Sequence, residues 1–387
     1  MYRRVEDYSF SLLQGNAVYR YLGENIVNEA NNRACPIIYD ESDGSRFFVK
    51  RLRYYYNKIT SMDLQIHNHY LYILKNPPHS RFIIWPKDLV EMNQETRENA
   101  TDYLVNNHQI FDNDETHDPS DYGLTFKCED YEGLTKVSNI IAGFKKSRVE
   151  SEGINYTNKR LMRIVYGMIS RIKELNDAGY IFYDYDFSRF YVDWKDNVYL
   201  DFSNLIYHID EQDKIRTGEI HLEEPREIPL DFMEPWMYLQ DKNIQSKEKK
   251  HNQNTLQREE APFADNQTQN YCLASMIFYL MIGKHAYDGN LVQAISDDSR
   301  ESHYDLTVDR IQKPIFIFNP TDDSNSIGTM EAEEIYVERW NSLSEEIRDI
   351  FFRTLRRVNA ERKVGSIFYS LEPSKWLSLF EKYGWHK

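Results

Sequence analysis

Apolar residues in the first third of the chain come in short runs separated by turn signals, the pattern of strands. Ala34-Cys-Pro-Ile-Ile-Tyr39 and Arg46-Phe-Phe-Val-Lys-Arg-Leu52 flank Asp40-Glu-Ser-Asp-Gly-Ser45, whose Asp43-Gly44 step predicts a hairpin. A helical segment follows through about Leu74 and is closed by Pro77-Pro78. Arg81-Phe-Ile-Ile-Trp85 and Gly123-Leu-Thr-Phe-Lys-Cys128 again read as strands, and the polar, acidic residues 93–122 between them read as an insertion. After Gly133 the spacing changes. Leu161, Ile164, Val165, Met168, Ile169, Ile172 and Leu175 recur at helical intervals, with Gly179 as the stop. Residues 206–232 are charged without a clear period, and 240–266 read as a solvated polar loop. An apolar helix is expected at about 268–283, then an irregular stretch to 330. Ser342-Leu-Ser-Glu345 reads as a capping box opening a helix with Ile347, Ile350, Phe351 and Leu355 on one face. A strand-rich start joined to a helical remainder predicts an α+β, two-lobed fold, and no internal repeat is apparent.

Composition narrows the function classes. The chain has 387 residues, enough for two lobes with a core each, and 29 tyrosines help to make it globular. Its net charge is −15 and it has no long basic block, which argues against nucleic acid as a partner. Cys35, Cys128 and Cys272 are scattered and odd in number, as expected in a reducing cytoplasm. The Met1-Tyr-Arg-Arg-Val-Glu-Asp start lacks the apolar core of a signal peptide. Leu273–Gly283 is too short to span a bilayer, so no membrane role is expected. His67 and His69 have no nearby cysteines and do not form a zinc motif.

The densest chemistry lies in Gly179-Tyr-Ile-Phe-Tyr-Asp-Tyr-Asp-Phe-Ser-Arg-Phe-Tyr-Val-Asp193 and Tyr199-Leu-Asp-Phe-Ser203. Asp184 and Asp201, each beside a strand-like run, form the kind of carboxylate pair that phosphoryl transfer uses: one positions the attacking hydroxyl, the other holds the metal on the nucleotide phosphates.

Across about residues 15–375 the order of these pieces resembles the bilobal protein kinase fold, with residues 1–131 as the N-lobe and 132–387 as the helical C-lobe. The C-terminal run Pro314–Asn325, Trp340 and the Leu-Ser-Glu-Glu-Ile-Arg helix resemble a bacterial eukaryotic-like Ser/Thr kinase group. The resemblance implies ATP and Mg²⁺ as cofactors and a protein as substrate or partner. It makes Lys50 the phosphate-contacting lysine and Phe126–Glu132, with Cys128, the hinge whose backbone meets adenine. It makes Asp184 the catalytic aspartate and Asp201 the metal ligand. Met233-Glu-Pro-Trp236 falls at the Ala-Pro-Glu element, and Asn270-Tyr-Cys-Leu-Ala274 in the central helix.

The departures are as specific as the matches. Asp186 stands where the family has a lysine facing the transferred phosphoryl, the wrong sign for that task. Arg189 stands at the metal-binding asparagine; a guanidinium has no acceptor atom, so it can contact phosphate or pack, but not ligate. Ser203 replaces a glycine, and Tyr70 falls nearest the glutamate that would pair with Lys50. The glycine-rich loop is missing after Gly23, and Glu24–Arg33 contains no other glycine. Trp236, Gln269, Phe182 and Tyr183 replace further polar positions, and Arg362 is expected to lose its ion-pair partner. These losses predict a pseudokinase-type binding or regulatory module. The alternative is an active ATP-dependent Ser/Thr kinase in which Asp184 positions the acceptor, Asp201 binds one Mg²⁺, Lys50 holds phosphate and Arg189 takes the place of a metal.

Overall fold

The computed structural model describes residues 11–12, 19–28, 33–40, 43–55, 66–91, 117–147, 149–203, 206–216, 220, 230–235, 237, 265–291, 308, 310–312, 314–328, 330–355 and 370–387. Most of the expected 93–122 insertion, the loop up to residue 264, Trp236, Arg362 and residues 29–32 of the glycine-loop region lie outside them. The chain divides into two compact units. One is Met1–Leu134 with Thr217–His221, the other Thr135–Arg216 with Leu222–Lys387.

The first unit is built on an antiparallel sheet of β1 (Ser11–Leu12), β2 (Tyr19–Asn28), β3 (Arg33–Asp40), β4 (Arg46–Tyr55), β6 (Asp88–Glu91) and β7 (His117–Lys127), in the order β1-β6-β7-β4-β3-β2. The β3–β4 turn closes with the Asp40 amide donating to the Ser45 carbonyl at 2.9 Å, and Gly44 supplies the positive φ of +74° that the turn requires. Register between β2 and β3 shifts between Tyr21 and Asn25, beside Pro36, which has no N–H for the ladder. The segment at the glycine-loop position is therefore a bulged hairpin arm containing Gly23. Strand β7 begins at His117, inside the segment read as an insertion. His117, Asp118 and Pro119 pair with Tyr55, Tyr54 and Arg53, so the ladder satisfies a polar backbone that no apolar alternation announces. A short strand, β5 (Ile83–Ile84), and a short helix, α1 (Leu71–Lys75), complete this unit, and the Trp85 indole donates to the Ile73 carbonyl at 2.9 Å.

In the second unit, α2 (Val137–Lys146) precedes the long helix α3 (Lys159–Asp177). Asn158 caps α3 by accepting from the Leu161 amide, and the whole predicted apolar stripe is buried. Gly179 ends it at φ +82°; a Cβ there would lie 2.3 Å from Nε2 of His208, so the position is closed to side chains on two counts. β9 (Tyr180–Phe182) pairs with β12 (Ile206–His208), a strand inside the segment that looked aperiodic. β10 (Phe190–Val192) pairs with β8 (Thr135–Lys136) and β11 (Val198–Asp201). After the short α4 (Gln212–Arg216) comes α5 (Asn266–Ile282), capped by Asp265, polar in its first turn and buried on all sides from Tyr271 onward.

Three helices follow: α6 (Glu334–Ser342), α7 (Glu345–Leu355) and α8 (Pro373–Lys382). The capping residue of α7 is Ser344, whose Oγ accepts from the Ile347 amide; Ser342 ends α6 and donates to the Glu338 carbonyl. The expected capping box was two residues early. The first unit is strand-rich and the second largely helical, with the Asp184 loop carried between paired strands of the second, an α+β architecture.

Candidate functional site

The loop after β9 is folded tightly on itself. The Asp186 amide donates to the Asp184 carbonyl at 2.8 Å, and the Arg189 amide to the Asp186 carbonyl at 3.0 Å. The Asp186 carboxylate accepts from the Ser188 amide at 2.7 Å and caps the 3₁₀ turn Phe187–Arg189. The residue with the wrong charge for phosphoryl transfer thus has a local structural role.

This reversal returns the Arg189 side chain to Asp184. Its Nε lies 2.6 Å from Oδ2, an ion pair between the two side chains. Antiparallel pairing of β10 with β11 brings Asp201, Phe202 and Ser203 back along the loop, and the Ser203 hydroxyl donates to the same Oδ2. The other carboxylate oxygen, Oδ1, is buried with no hydrogen-bond partner among the described residues. Asp184 itself is 1% exposed. Burial pushes its pKa up, Arg189 and the Ser203 hydroxyl pull it back, and Asp186 adds to the rise.

The structure therefore brings Asp184, Arg189 and Ser203 into contact, with buried Asp201 two residues before Ser203. Arg189 meets the Asp184 carboxylate itself, which neither of its expected roles included. Asp201 retains hard carboxylate oxygens at the end of β11. Mg²⁺ is commonly held by one or two carboxylates together with substrate phosphates and water, so Asp201 suits a single nucleotide-borne ion. Among the described residues no three His, Cys, Asp or Glu side chains are grouped to hold a metal without such a ligand.

Around the loop, polar positions of the family pattern are filled by aromatic packing. Tyr183 lies in a buried cluster with Ile181, Tyr207, Met233 and Met237. The Phe182 ring packs on Tyr185 and Phe190 with centroids 5.4 and 6.0 Å away. One polar link remains: Gln269, in the first turn of α5, accepts the Phe182 amide at 2.8 Å through Oε1. The substitution at Gln269 reads as a loss in sequence, yet the amide side chain still anchors the strand that leads into the loop. Glu234, two residues before Trp236, is a second anchor that no signal in the sequence marked. It is 3% exposed and accepts from the Thr268 hydroxyl at 2.9 Å.

Within the first unit, β4 carries Lys50, paired in register with Leu124 of β7. Its ammonium lies 4.3 Å from the centroid of the Phe126 ring and donates to the Tyr131 hydroxyl at 3.5 Å. Tyr70, at the position nearest the expected glutamate, is buried with its ring 5.1 Å from that of His69. Cys128 opens the 3₁₀ turn Cys128–Tyr131 in the hinge segment. It is a free, half-buried thiol whose pKa is pushed up by burial and by Glu132 and Glu129 against the pull of Arg46. Such a thiol is a poor nucleophile.

No helix among the described residues is long and apolar enough to cross a membrane. No protein-family model matches the sequence, and no curated protein matches it. Among solved structures, the ROP18 kinase domain in complex with AMP-PNP and sucrose is similar at 11% sequence identity, covering 99% of this chain and 85% of that one with a TM-score of 0.48.

Proposed function

We propose that this chain is a kinase-shaped module of the pseudokinase type, which acts by binding a protein partner and not by transferring phosphate. The observation that carries this reading is the ion pair between Arg189 and Asp184. A catalytic aspartate must accept a hydrogen bond from the attacking hydroxyl. Here one of its oxygens already bears a guanidinium and a serine hydroxyl. The cation on that carboxylate also opposes its service as a base. Asp186 caps a turn and offers no cation to the transferred phosphoryl.

A second reading rests on Oδ1 of Asp184, buried without a hydrogen-bond partner among the described residues. An acceptor hydroxyl donating there would make the chain an ATP-dependent Ser/Thr kinase, with Asp201 on one Mg²⁺. Thermal-shift titration with ATP, with and without Mg²⁺, separates the two. Ligand at a hundredfold excess over its dissociation constant stabilises a folded protein by about 2.7 kcal/mol, a clear shift in midpoint. The binding-module reading expects no Mg²⁺-dependent shift at millimolar ATP. A Mg²⁺-dependent shift abolished by Asp201→Asn favours the enzyme.

A further inference from the structure

Trp194 is 84% exposed, the most exposed of the large hydrophobic residues described. It sits at the tip of the β10–β11 turn, and that turn is held rigidly. The Asp193 carboxylate accepts from the Lys195 amide at 2.8 Å, the Asn197 amide at 2.9 Å and the Asn197 side chain at 2.8 Å. Asp196 adopts a φ of +61°, uncommon for a residue with a side chain. Its carboxylate receives Arg160 at 2.8 Å and Arg163 at 3.5 Å from the first turns of α3. An exposed indole on a mobile loop would be unremarked, because scattered surface hydrophobics are common. One carried on a turn whose backbone is tied down in this way costs less backbone ordering when it binds.

Its surroundings carry the opposite sign to the chain as a whole. Arg160, Arg163 and Lys195 lie at the turn against Asp193 and Asp196, and exposed Lys159 opens α3 next to Arg160, in a chain of net charge −15. The Lys195 ammonium lies 4.5 Å from the indole centroid.

A complementary patch lies elsewhere on the same unit. Met330 is 49% exposed and begins the 3₁₀ turn that leads into α6, with Glu331, Ala332, Glu334 and Glu338 exposed beside it. This support is also fixed: buried Glu333 pairs with Lys284 at 3.0 Å and accepts from the Gly328 amide at 3.0 Å. Thioether sulfur and indole make a favourable contact, and the flanking charges are opposite in sign.

We propose that the occupant of the Trp194 patch is a second copy of this chain, which presents its Met330 patch. The chain repels itself on average, so association requires these islands of opposite sign to meet. The contact uses neither Asp184 nor Lys50 and stands whether or not the chain transfers phosphate.

Sedimentation of the full chain over a concentration series at low salt tests this. The expected result is concentration-dependent self-association that weakens in about 0.5 M salt, where the Debye length falls to a few ångströms. Trp194→Ala, at an exposed position, leaves the circular dichroism unchanged and weakens association at least about tenfold, as loss of an aromatic anchor does. The charge-reversed pairs Lys159→Glu/Lys195→Glu and Glu331→Lys/Glu334→Lys each associate less alone, and mixing the two restores association. Wild-type chain that stays monomeric at every concentration overturns the proposal. So does association indifferent to Trp194→Ala, or a mixture of reversed variants no stronger than either alone.

Discussion

Asp184 in the helical unit and Lys50 in the sheet unit carry opposite charges, and each is held by its own surroundings in a different way. Asp184 is buried and ion-paired at 2.6 Å, with a hydroxyl on the same oxygen. Lys50 is half-buried and rests on the face of Phe126 with a long hydrogen bond to Tyr131. The first arrangement is expensive to break, because a buried charge that loses its counter-charge has no water to replace it. The two Lys50 contacts are each weak, because neither an aromatic face nor a neutral hydroxyl carries a counter-charge. The asymmetry lies between a buried ion pair at Asp184 and two weak contacts at Lys50.

Removing the cation breaks this comparison most severely. Arg189→Ala leaves Asp184 buried beside no counter-charge and should cost about 3–5 kcal/mol at neutral pH, measured by denaturant unfolding. The loss has a defined pH dependence. Asp184 has its folded pKa raised above the unfolded value, so the folded state binds the proton more tightly. Its contribution is most favourable below the unfolded pKa and declines as pH rises through the folded one. Without Arg189 that pKa rises further, so the variant recovers stability relative to wild type as the solution is acidified. A cost independent of pH would remove the ion pair from the explanation. Ser203→Ala takes away the hydroxyl on Oδ2, and a hydrogen bond to a charged group contributes about 1.5–3 kcal/mol.

The next variants sharpen the contrast from the scaffold side. Gln269→Leu leaves the buried Phe182 amide without its acceptor, at a cost of about 1–3 kcal/mol. Lys50→Met should be mildest, at about 0.5–1 kcal/mol, the range of a partly exposed cation–π contact. If Lys50→Met costs as much as Arg189→Ala, the two charges are held alike and the asymmetry is wrong.

The elements that position the site were legible in the sequence because burial dictates their pattern. The stripe from Leu161 to Leu175, the stop at Gly179 and the buried run of α5 from Tyr271 onward each follow from what a core requires. Other strand segments were not legible. His117–Pro119 and Ile206–His208 are specified by a backbone ladder that leaves little trace in side-chain alternation. At the site, sequence spacing located Asp184, Arg189 and Asp201 but not the contact between the first two. That contact depends on how sharply the loop turns, and Asp186 sets the turn by capping it. Gln269 and Glu234 were hidden for another reason. Comparison with a family pattern registers a changed residue as a loss, whereas the hydrogen bond needs only an acceptor in the right place.

The central claim is that Asp184 is engaged by Arg189 and does not serve as a catalytic base. Transfer of radiolabelled γ-phosphate from ATP with Mg²⁺, to the chain itself and to a generic serine- and threonine-rich protein, tests it most directly when wild type is set beside Asp184→Asn and Asp201→Asn. The account predicts that wild type transfers no more phosphate than either variant. Transfer by wild type that disappears in both variants would contradict it.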